Sequence, residues 1–110
     1  MRTEYREHLN AFSEDLQTMS DTVRTVMRYA SKALIDGSLE DAEAALTEAD
    51  TLQEIRVRCQ ERSMALLALE SPVASDLRQV FTSIYIVEDL DRMGALSRHI
   101  ASTARLRQDR

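Results

Sequence analysis

The chain has 110 residues, 44% of them hydrophobic and 30% charged, which suffices for one domain with its own core. Lys+Arg 14 against Asp+Glu 19 gives a net charge of -5, and this argues against nucleic acid as a partner, because phosphate backbones call for a basic face. A single cysteine, Cys59, cannot form an internal disulfide, the first ten residues hold no apolar signal core, and no run of about 18 apolar residues is present to span a membrane, so the expected location is the cytoplasm.

Two glycines and one proline leave few places to break a helix. The pattern predicts three, near 3–36, 39–69 and 72–106. In the first, two seven-residue series interleave: Leu9, Leu16, Val23, Ala30 and Tyr5, Phe12, Met19, Val26, Ala33. Such a seam packs lengthwise against neighbours. Next comes "DGSLED", where Gly37 suits a left-handed helix end and Ser38 an N-cap, with Asp41 three residues on. The second helix carries Leu39, Ala42, Leu46, Ala49, Leu52, Ile55, Cys59, Leu66 and Leu69, interrupted by Arg62. In "ESPVASD", Ser71 can cap and Pro72 fits the first helical position.

The third helix shows two apolar stripes. Val73, Leu77, Val80, Ile84 and Val87 form one; Ile86, Leu90, Met93, Ile100 and Ala104 form the other. Two stripes require two neighbours: both other helices, or one helix and another chain. Short loops make consecutive helices antiparallel, so the expected fold is all-α, an up-down-up three-helix bundle over residues 1–110. Charge agrees. Asp36 to Glu54 holds seven acids and no base, Arg92 to Arg110 five arginines and one acid, and the bundle brings these segments to one end.

Asp91 falls in the seam of the third helix, followed by Gly94, with Glu88 and Asp89 within one turn. A carboxylate placed there pairs with an arginine across the bundle, opens to water, or serves as an oxygen ligand for a cation together with Glu88 and Asp50 or Glu54. Neither His8 nor His99 has a glutamate three residues before it, so a di-iron carboxylate centre is not expected. No nucleophile–base pair can be placed, and the chain does not read as an enzyme.

The segment "ALLALESPVASDLRQVFTSIYIVEDLDRMGALSRHIA" resembles the signature region of the PhoU family of bacterial phosphate-signalling regulators. Pro72, Ala74, Asp76, Leu77 and Arg78 match its Pro-x-Ala-x-Asp-Leu-Arg run, and Leu90, Arg92 and Gly94 match its second motif. Family members usually hold two three-helix repeats, and this chain resembles one N-terminal-type repeat. The resemblance implies a negative regulator or adaptor of phosphate uptake and phosphate-starvation signalling. Its partners would be a phosphate ABC transporter ATPase and a sensor histidine kinase, and a homodimer is expected. It also implies a divalent or ferric metal ion held by an acid-x-x-x-Asp motif, for which Asp91 and Glu88 are the candidates. The second motif acid, however, is Ala95 here. Asp76, Arg78 and Arg92 are the candidate partner-binding residues, the two arginines lying 14 positions apart on one side of the helix. The alternatives are a metal-binding bundle and a self-associating helical module that pairs through the second stripe.

Overall fold

The computed structural model describes residues 2–68 and 74–108. It contains three helices, α1 (Arg2–Asp36), α2 (Leu39–Ala68) and α3 (Ala74–Gln108), and each packs on the other two. The expected Ser71 cap and Pro72 position lie outside the described residues.

One local device separates α1 from α2. Gly37 adopts φ 65°, a left-handed conformation that costs a residue with a Cβ and that glycine enters freely. Ser38 then caps α2: the Asp41 N–H donates to Ser38 Oγ at 3.1 Å, and the Ala42 N–H donates to the Ser38 carbonyl at 3.1 Å. The chain reverses in two residues, so α2 must run back along α1.

Two sets of alanines fix the register. Ala30, Ala45 and Ala101 form one buried cluster, and Ala33, Ala42 and Ala104 form the next. Advancing three residues along α1 and α3 means retreating three along α2. The helices therefore run up, down, up, with α1 and α3 parallel, in a rod of 58 × 17 × 16 Å. Large side chains fill the rest of the seam: Leu9, Phe12, Met19 and Val23 from α1, Leu52, Ile55, Cys59 and Leu66 from α2, Val80 and Val87 from α3. Both heptad series of α1 face this core as expected.

One expectation needs correction and another is narrowed. Leu39 is exposed, because the first residue of α2 lies beyond the end of the seam. The second stripe of α3 divides: Leu90 packs on the large core and Ala104 on the alanine end, whereas Ile86, Met93 and Ile100 stay exposed. The seam also passes through Gly94, which is buried; a side-chain carbon there would collide with Leu52 Cδ2. Glycine thus leaves the space that the Leu52 side chain occupies between α2 and α3 at this level, at a cost of roughly 1 kcal/mol of helix propensity relative to alanine.

Candidate functional site

Asp91 points at α2. Its Oδ1 accepts a hydrogen bond from Gln53 Nε2 at 3.2 Å and lies 3.5 Å from Arg56 Nε, with 21% of the side chain exposed. Glu88, one turn earlier, reaches the same guanidinium at 3.9 Å. The acid in the seam is therefore held by an arginine across the bundle. At the next level Arg98 meets Asp50 at 3.5 Å, a contact between the acidic and basic segments at the end where charge patterning places them. Both of those side chains are well exposed, so the pair contributes little stability.

A second buried acid was not picked out by the sequence. Asp15 on α1 is 8% exposed and faces two arginines of α2. Arg58 Nε donates to Oδ1 at 3.1 Å, and Arg62 Nε lies 3.4 Å from Oδ2. A carboxylate this deep is tolerable only with such partners. The two arginines stand four residues apart and so on one face of α2. The signal was Arg62 itself, which interrupts an apolar stripe, while Ser63 takes the adjoining core position and donates to the Gln60 carbonyl. Cys59 lies in the same layer, fully buried. Burial pushes its thiol up from the usual 9.0 to about 11, helped by Asp15 and opposed by Arg58 and Arg62.

The outer line of α3 holds the remaining candidates. Arg78, Tyr85, Arg92 and His99 recur every seven residues and are all exposed, Tyr85 at 70%. Phe81 is exposed one turn before Tyr85. Arg92 pairs with Asp89 on its own helix, and Arg78 has no partner among the described residues. Asp76 sits in the first turn of α3, its side chain outside those described.

The profile of the PhoU domain matches residues 16–104, which takes in most of α1, all of α2 and most of α3. The chain belongs to the PhoU family. It is 40% identical over 107 residues to phosphate-specific transport system accessory protein PhoU homolog 2 of Mycobacterium tuberculosis, an alignment covering 97% of this chain and 50% of the relative. It is 41% identical to PhoU homolog 1 of Mycobacterium leprae, over 97% of this chain and 48% of the relative. With the PhoU homolog of Aquifex aeolicus it shares 32% identity over 98 residues, 89% of this chain and 44% of the relative. The chain thus spans about half the length of the curated relatives it matches. No solved structure matches it significantly.

The donor set of this PhoU repeat does not fit a metal cluster. A guanidinium already faces Glu88 and Asp91, and position 95 carries only the alanine methyl. Among the described residues no group of three or more His, Cys, Asp or Glu stands close enough to share an ion. Nor is any helix among the described residues long and apolar enough to cross a membrane.

Proposed function

We propose that the chain acts as a cytoplasmic, non-catalytic regulator of phosphate uptake and phosphate-starvation signalling, joining a phosphate ABC transporter ATPase to a sensor histidine kinase by direct contact. The observation that carries this reading is a PhoU profile extending over the bundle, together with an exposed line of arginine and aromatic side chains on its third helix. Arginine and tyrosine supply large contact area and directed hydrogen bonds, and they dominate the energetics of many interfaces. Among the described residues Arg78 has no partner to surrender, and Arg92 gives up an exposed pair with Asp89. Docking on a rigid rod transmits transporter state to a kinase when the two partners favour different arrangements of the complex.

Binding of the isolated transporter ATPase and of the kinase's cytoplasmic portion, followed by surface plasmon resonance, tests this. At least one should bind the wild-type chain, and Tyr85→Ala with Arg78→Glu should weaken it by about tenfold or more. Absence of binding to both removes the proposal.

Self-association is the second reading, and the exposed Ile86, Met93, Leu96 and Ile100 favour it. Their spacing of seven, three and four residues makes an outward-facing seam suited to another helix. A dimer in sedimentation that Ile86→Asp converts to monomer would support it.

A further inference from the structure

We propose that Arg58 and Arg62, held in place by Asp15, form a binding site for a phosphate-type oxyanion, either free or as a monoester. The site lies between α1 and α2, away from the α3 line used above, so its failure would leave that reading standing.

The charge count comes first. One guanidinium suffices to neutralise one carboxylate, yet Asp15 has two. Asp15 and the two arginines together carry one positive charge, which Glu61 on the rim formally balances, and the arginines sit at the surface: the Arg58 side chain is 50% exposed and that of Arg62 31%. Both arginines use Nε toward Asp15, and neither has another partner among the described residues. Their terminal nitrogens are left as unspent donors, and paired guanidinium forks match the oxygens of a phosphate or carboxylate.

The surroundings suit a small anion. The two arginines line an open depression together with His8, Glu61 and Ala65. His8 Nδ1 is buried there without a hydrogen-bond partner among the described residues. Asp15, itself inside the bundle, holds Arg58 by a hydrogen bond and Arg62 by charge alone from behind, so an anion would meet at least one donor whose rotamer is already restricted. Phosphate is favoured over a carboxylate because it carries more charge and enough oxygens to engage both forks at once. Glu61 is the opposing element, an exposed acid on the rim whose charge repels the same ligand.

The test is an NMR titration of the chain with inorganic phosphate, with O-phosphoserine as the monoester and with sodium chloride at matched ionic strength. Saturable shifts confined to residues around 8, 15 and 58–65 are expected with phosphate, with phosphoserine, or with both. Phosphate alone identifies the free anion as ligand, and phosphoserine alone identifies a phosphorylated side chain. Arg58→Gln, which keeps an N–H donor facing Asp15 but loses the charge, should weaken binding about tenfold or more. Glu61→Gln should tighten it about two- to fivefold. Circular dichroism confirms that both variants keep their helices. The proposal is overturned if chloride reproduces the shifts, if Arg58→Gln binds as well as wild type, or if Glu61→Gln binds more weakly.

Discussion

The two ends of this rod are built from different materials. Around Asp15, Phe12, Met19, Leu52 and Leu66 close the seam with bulky side chains. Toward the Gly37 turn, alanines from all three helices form the fully buried layer, with Tyr29 and Leu46 packed half-buried against it. The helices and their register are the same at both ends, yet hydrophobic stabilisation scales with apolar area removed from water, and alanine has little to remove. What the alanine end offers instead is local: the best helix-forming residue, close helix approach, a glycine in its favoured conformation and a serine cap. Burial thus holds one end, and backbone chemistry holds much of the other.

Core substitutions should break this contrast most visibly. Phe12→Ala leaves a cavity in the bulky end and is expected to cost about 3–5 kcal/mol in chemical denaturation. Ala45→Leu, at the alanine end, is expected to cost about 1–3 kcal/mol by overpacking. A stabilising Ala45→Leu would show that the alanine end has spare room, and the contrast would fail.

Alkaline pH sharpens the comparison, because its effect is lodged in the bulky end. The Cys59 thiol is raised to about 11 when folded, from the usual 9.0. Below about pH 9 both folded and unfolded chains keep the proton. Between about 9 and 11 only the unfolded chain releases it, so stability falls as pH rises through this window. Two pKa units bound the loss at about 2–3 kcal/mol. Denaturation midpoints of wild type and Cys59→Ala should converge over that range; an unchanged difference would refute the assignment.

The smallest expected effect lies at the turn. Ser38→Ala removes the acceptor for the Asp41 N–H and should cost about 1 kcal/mol. Hydrogen exchange should accelerate first in the opening turn of α2 and leave amides near Phe12 unaffected. Uniform acceleration along the rod would mean that its ends do not differ in local stability.

Much of this was legible in the sequence, for identifiable reasons. The α1 heptads repeat without interruption, so the buried face follows directly from the period. Gly37 and Ser38 each have a narrow conformational role. Asp91 was conspicuous because an acid broke an apolar series, and its pairing with Arg56 was among the readings open to it. Asp15 was hidden because it breaks neither α1 series: it lies three residues after Phe12, beside the two seams. Its partners are 43 and 47 positions away, a separation that helical period does not encode. The second stripe of α3 was seen, with its neighbour left open between another helix and another chain. Period alone does not show that Leu90 and Ala104 turn inward while Ile86, Met93 and Ile100 turn out.

Gly94 acts on the helices as a notch does on a sliding bolt. The alanine clusters set the register near the Gly37 turn, and Gly94 adds a shape of its own further along. Leu52 seated over a position without a side chain gives the pair one more indexed stop. The same stretch of the α2–α3 edge brings Gln53 and Arg56 level with Asp91, so a vacancy of one methyl group lies within a helical turn of the polar contacts there.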